Sequence, residues 1–204
     1  MIRRFAILLP VFFLGFLILF ASVLRASEVR YSFNKTTKSS ITTSAQNVYI
    51  DYDLPEATAT PNNFFWPVIA LNDRVETVFA SDSLQRSLVL LSHSDNRLSV
   101  GLKMFDEGKI EESVSIFNKA EGYLEESLES FKLFSDSGSE ETLILEKISL
   151  ASLKHRQILE ECLIDAPDDA RAMITKTLDI PKSVYSETEI MLEKLGTNAP
   201  QNPF

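Results

Sequence analysis

Among the side chains of the types that ligate metals or move protons, Asp95, Glu121, His155 and Cys162 are the ones that fall in otherwise apolar helical rows. His155 and Cys162 lie seven residues apart, which puts them on one face of a helix. With two carboxylates they would make a plausible zinc donor set in type, but not in spacing. There is no HExxH and no Glu-x-x-His pair, whereas zinc normally takes three or four protein ligands at recognisable intervals. A buried Cys162 reads more simply as a small hydrophobe. His93 has no companion and reads as a surface residue. The GxSxG elbow, the Walker-type loop and the Gly-rich dinucleotide turn are all missing, and Gly101 and Gly108-Lys109 have the wrong spacing for a phosphate loop. The expectation is a chain without catalytic residues, cofactor or metal centre.

The elements that must position these residues are helices. From Pro67 the apolar period is near 3.6, with Val68, Leu71, Val75 and Val78 on one face of a short first helix and Pro at a first-turn position. Ser81 or Asp82 then caps a longer helix whose apolar row runs Leu84, Leu88, Leu91, Leu98, Leu102, Phe105. Gly108 ends it, and a third helix follows through Ile110, Val114, Phe117, Leu124, Leu128 and Phe131. Ser139 is placed to cap a fourth, through Ile144, Ile148, Ala151, Ile158 and Cys162. Asp168 opens a shorter helix through Met173 and Leu178, and Pro181 separates it from a last segment ending near Leu195 and Gly196. Short connections make neighbouring helices antiparallel, so residues 64–196 should form an all-α, up-down bundle.

Each long helix carries one polar interruption in its apolar row. Asp95 and Glu121 are each thirteen residues from Gly108, so a hairpin there sets them in one layer. A second turn near Ser137 places Glu121 opposite Leu153 to His155, bringing Lys154 or His155 to the two acids. The simpler expectation is that the helices rotate both acids into water. The alternative is a polar layer of Asp95, Glu121, Lys154 and His155 that fixes helix register, since a buried acid without a partner costs several kcal/mol.

The rest of the chain concerns location. Residues 5–24 run for twenty positions without a charge, enough for a helix of about 30 Å that spans a bilayer. Arg3 and Arg4 precede them, so residues 1–4 should stay cytoplasmic and everything after the span should lie outside the cell membrane. The alternative is a secreted protein released by cleavage after Ala26, although that sets Leu24 where a small residue is preferred. Residues 25–63 read as a Ser/Thr-rich flexible linker with a short strand over 48–52, which would lie extended on the domain with Tyr49 or Leu54 as anchor, and residues 197–204 as a disordered tail. The formal charge is -9; residues 1–24 contribute two arginines and no acid, which leaves -11 on the remainder and argues against nucleic acid as a partner.

The segment from Asp53 through the helical hairpin resembles an uncharacterised family, domain of unknown function 5667. The resemblance rests on Leu54-Pro55, Ser94-Asp95-Asn96-Arg97-Leu98, Gly108-Lys109, and His155 with Ile158-Leu159 before Pro167, and covers roughly residues 52–180. Phe64-Phe65-Trp66-Pro67 departs from the pattern. The resemblance implies a secreted or membrane-anchored helical domain and supplies no mechanism. Taken together, the expected role is a membrane-anchored, extracytoplasmic module that binds an envelope protein or itself, or serves as a structural spacer. A regulatory ectodomain acting through a membrane partner is the second reading, and a metal carrier or enzyme the third. An exposed apolar patch, around Val89 and Leu90 or around Phe64, Phe65 and Trp66, would favour binding.

Overall fold

A computed structural model describes residues 49–57, 66–134 and 139–204, all within one compact unit, Tyr31–Phe204. The apolar stretch 5–24, most of the linker, and Phe64 and Phe65 lie outside the described residues. Among the described residues, no helix is long and apolar enough to cross a membrane. Among the described residues the regular structure is all helical: α1 (Trp66–Phe79), α2 (Ser83–Asp106), α3 (Ile110–Lys132), α4 (Ser139–Asp165) and α5 (Asp168–Lys194).

Local chemistry sets the helix ends. The Asp82 carboxylate accepts the Gln85 amide at 2.8 Å and caps α2. Gly108, at φ +75°, closes the helix with paired bonds from its own amide to Phe105 and from the Lys109 amide to Met104, both at 2.9 Å. Only a residue without a Cβ adopts that backbone readily, so α3 starts at once in the reverse direction. Gly196, at φ +76°, ends α5 in the same way.

The α2–α3 hairpin is the tightest contact in the bundle, and a seam of small residues explains it. Ser87, Ser94 and Gly101 recur every seventh position on α2, and Ser113, Ala120 and Ser127 do so on α3. Hydroxyls cross this seam to backbone carbonyls, Ser127 to Ser87, Ser94 to Ala120 and Ser113 to Gly101, each at 2.8 Å. The close approach is real at Gly101, where an added Cβ would stand 2.6 Å from the Phe117 ring.

α4 and α5 form the second hairpin, and the two hairpins stack. Across the stack α3 runs parallel to α5, with Asn118 beside Thr177 and Lys132 beside Glu187. α3 packs less on α4, its sequence neighbour, than on α5. The expectation that consecutive helices are antiparallel holds for α3 and α4 as well, since Phe131 shares a core with Leu145 and Phe117 shares one with Leu159; the parallel contact is between α3 and α5, which are not consecutive.

Two large apolar cores result, beside two smaller clusters. One gathers Leu98, Phe117, Leu159, Cys162, Ile174 and Leu178; the other gathers Leu91, Leu124, Phe131, Leu145, Ile148 and Val184. Asp95, Glu121 and His155 fall between them.

Several expectations are corrected. α5 runs unbroken through Pro181, because one buried face from Ile174 through Leu178, Pro181 and Val184 to Leu192 spans it. That burial outweighs the local penalty of about 3 kcal/mol for Pro in a helix. Residues 49–52 form no strand; they lie extended on the bundle, with Ile50 buried and Tyr49 76% exposed, so Ile50 rather than Tyr49 is the anchor beside Leu54. Residues 197–204 are not a loose tail. The Pro200 carbonyl accepts the Tyr185 hydroxyl at 2.8 Å, and Phe204 packs with Ile50, Leu153 and Tyr185 under the Arg156 guanidinium, 4.3 Å from the ring centre.

The largest correction concerns α1. Its expected inward stripe faces out: Leu71 and Val75 are exposed, as is Val78 at 74%, with Phe79 beside them at 80%. Asp73, on the opposite side of the helix, is the residue that is buried. The reason is electrostatic, since α2 presents Arg97 and His93 where α1 lies, and Asp73 pairs with both. Val89 and Leu90 do not supply the exposed patch that would have favoured binding, as Leu90 is buried and Val89 half-buried.

Candidate functional site

Each long helix of the first three contributes one charged group to the centre of the bundle: Asp95 from α2, Glu121 from α3 and His155 from α4. Glu121 and His155 are wholly buried. His155 Nδ1 donates to Glu121 Oε1 at 2.8 Å, and Nε2 donates to Asp95 Oδ1 at 3.1 Å. With a carboxylate on each ring nitrogen, both must carry hydrogen, so the ring is an imidazolium. Burial by itself pushes the His155 pKa down; the adjacent Glu121 charge, the hydrogen bonds to both acids and the Asp95 charge outweigh it and hold the group up at about 9.

A fourth member closes the layer from outside. The Tyr52 hydroxyl, in the extended segment, donates to Asp95 Oδ2 at 2.6 Å. Burial, followed by the Asp95 charge and hydrogen bond, holds the phenol far above its ordinary pKa of 10.0, so it remains a donor. Two carboxylates and one imidazolium leave a net charge of -1, shared with a neutral donor. Glu121 Oε2 has no hydrogen-bond partner among the described residues.

Of the four residues expected in a polar layer, three meet and Lys154 does not. Lys154 is turned about a quarter of a turn from His155 along α4. Its ammonium instead reaches the Ile50 carbonyl at 3.2 Å and sits 4.9 Å from the centre of the Tyr49 ring. The acids are buried rather than rotated into water, so the simpler expectation fails, and Asp95, Glu121 and His155 form one buried polar layer. Cys162 lies elsewhere, in the apolar core two turns further along α4, where burial and then the charges of Asp106, Glu161 and Asp165 push its thiol up to about 12. Among the described residues, no group of three or more His, Cys, Asp and Glu is placed to hold a metal ion. An imidazolium with both nitrogens engaged offers no lone pair to one.

A second buried constellation joins α1 to the bundle. Arg97 Nη2 donates to Asp73 Oδ2, and His93 Nε2 bonds the Asp73 carbonyl at 3.1 Å. His93 also lies 5.9 Å from the Tyr123 ring. It is buried, which corrects its reading as a surface residue. Sequence reasoning missed this pair and Tyr52, whose partner lies 43 residues away. The seven-residue recurrence of small residues on α2 and α3 was the available signal for the hairpin's register.

Fold and site together define a helical bundle whose apolar cores are divided by a buried ion layer, with an extended N-terminal strap bonded to that layer. The family described as "Domain of unknown function (DUF5667)" matches residues 58–169, more than half of the 204-residue chain, and the chain belongs to that family. The match takes in Asp95, Glu121, His155 and Pro167, but not Leu54-Pro55, and it ends near the start of α5. No curated protein and no solved structure matches the chain.

Proposed function

We propose that this protein is a membrane-anchored, extracytoplasmic module that binds another envelope protein through α1 and performs no catalysis. The observation that carries the reading is the outward stripe of α1. Leu71, Val75 and Val78, with Val68 before them in sequence, follow the 3-4-3 spacing of a coiled-coil seam, with Val at the a positions and Leu at the first d. Leu71, Val75 and Val78 are exposed, while Asp73 anchors the back of the helix to α2. Such a seam fits an apolar helix of a partner. The uncharged residues 5–24 after Arg3 and Arg4 support anchoring in the lipid bilayer, and the -11 remainder supports a soluble external domain.

The test is crosslinking with affinity capture of the full-length chain from intact membranes, beside a Val75→Glu/Val78→Glu variant. Both positions are exposed, so the variant should keep the helical circular-dichroism spectrum of the parent. A crosslink that maps to α1 and disappears in the variant supports the reading, and its other end tells an envelope partner from a second copy. Identical crosslinks in both chains would overturn it. A second reading, a regulatory ectodomain acting through a membrane partner, is favoured by one observation: the strap bonded to the ion layer is the part of the bundle nearest in sequence to residues 5–24.

A further inference from the structure

Residues 49–57 hold on to the bundle in a manner different from every helix. Their contacts fall on alternate residues: Ile50 enters the cluster of Leu153 and Tyr185, Tyr52 covers Asp95, and Leu54 touches the core around Leu98 and Phe117. Tyr49, Asp51 and Asp53 between them are exposed. The bonds to the bundle run to side chains. The Ile50 amide donates to Gln157 Oε1 at 3.0 Å, the Lys154 ammonium donates to the Ile50 carbonyl at 3.2 Å, and the Tyr52 hydroxyl donates to Asp95. Among these contacts, none is a backbone ladder whose loss would break a helix. Four side chains, Ile50, Tyr52, Leu54 and Ala57, of which only Ile50 is fully buried, stand against the ordering of nine residues.

The seat of this segment is also asymmetric. Glu121 and His155 are wholly buried and bonded to each other, whereas Asp95 keeps a trace of exposure and is bonded by Tyr52. Undocking therefore brings water first to the Asp95 side of the layer and leaves the His155–Glu121 pair enclosed.

We infer that residues 49–57 form a releasable clasp, which undocks as a unit while α2 to α5 stay folded and whose docking is coupled to the ion layer through the Tyr52–Asp95 bond. A pull or rotation on the chain before residue 49 would then be read out as hydration of Asp95, which gives the fold a conformational device whether or not α1 binds a partner.

The test uses the full-length chain in detergent micelles. Hydrogen exchange followed by mass spectrometry compares the peptide covering 49–57 with peptides from the centres of α2, α3 and α4. The expected result is exchange about 100-fold faster in the clasp, with a rate insensitive to low urea, while exchange at the helix centres accelerates as urea lowers global stability. Clasp and helix centres that exchange together, with the same urea dependence, would overturn the release. Coupling is tested in Tyr52→Phe, which keeps the ring and removes only the bond. Clasp exchange should rise about tenfold or more. The His155 ring signal, titrated by NMR in the same sample, should shift its midpoint by about half a unit, because Asp95 then faces water instead of a phenol. A faster clasp with an unmoved His155 midpoint would make Tyr52 merely an anchor and refute the coupling.

Discussion

Raising the pH until His155 gives up its proton should weaken the bundle at its centre, and the size of the effect can be worked out. The ring's pKa stands at about 9 in the folded protein against an ordinary 6.5. A folded value above the unfolded one means that the contribution is complete below about pH 6.5 and is lost as pH rises through about 9. At about 1.36 kcal/mol per unit, the whole contribution is about 3 kcal/mol, of which about 2 kcal/mol should disappear between pH 6 and 8.5. Cys162 adds a loss of the same sign above its ordinary 9.0, so the comparison stops at pH 8.5. The assay is urea unfolding followed by circular dichroism at half-unit steps. A chain carrying Asp95→Asn, Glu121→Gln and His155→Gln keeps three polar side chains without the charges, and its stability should be flat over the same window. A parent chain with equal stability at pH 6 and 8.5, or a variant that loses as much as the parent, would refute the imidazolium between two carboxylates.

Gly101→Ala should destabilise by about 1–3 kcal/mol, since its Cβ would meet Phe117 at 2.6 Å, whereas Gly122→Ala, with open space around it, should stabilise by about 0.5–1 kcal/mol; urea midpoints give both. Equal effects at the two glycines would show that α2 and α3 are not in close contact. The single cysteine should resist a thiol reagent at pH 8 in the native protein and react once urea unfolds it, because burial holds the thiol up at about 12; immediate full labelling would place Cys162 outside the core. Asp73→Ala should cost about 3 kcal/mol, because it strips the acid from a buried ion pair with Arg97. The same variant should free α1, seen as faster hydrogen exchange across residues 66–79 with α3 unchanged.

How much of this was legible depends on the range of the interaction. The starts and stops of α2 and α3 could be read because their causes are local: Asp82 reaches an amide three residues on, and Gly108 adopts its own positive φ. The polar layer was half legible. Equal distance from one turn brought Asp95 and Glu121 together, and the heptad of small residues on both helices fixes that register. Choosing His155 over Lys154 needed the rotation of α4 about its axis, which depends on how the second hairpin seats on the first. Pro181 was misread for a related reason, since local propensity forbids what a continuous buried face permits.

The sequence by itself determined that the folded unit is helical, where its hairpins turn and that Asp95 and Glu121 lie at one level of the first hairpin, since 3.6-residue periodicity, caps and turn residues act within a few positions. Only the tertiary structure decided the rest. It turned the apolar stripe of α1 outward, with Asp73 on the opposite face bonded to Arg97 and His93 of another helix. It laid residues 49–57 across the bundle and tied Tyr52 to Asp95. Bonds between residues tens of positions apart leave no periodic trace, and whether they form depends on what the packed helices leave uncovered.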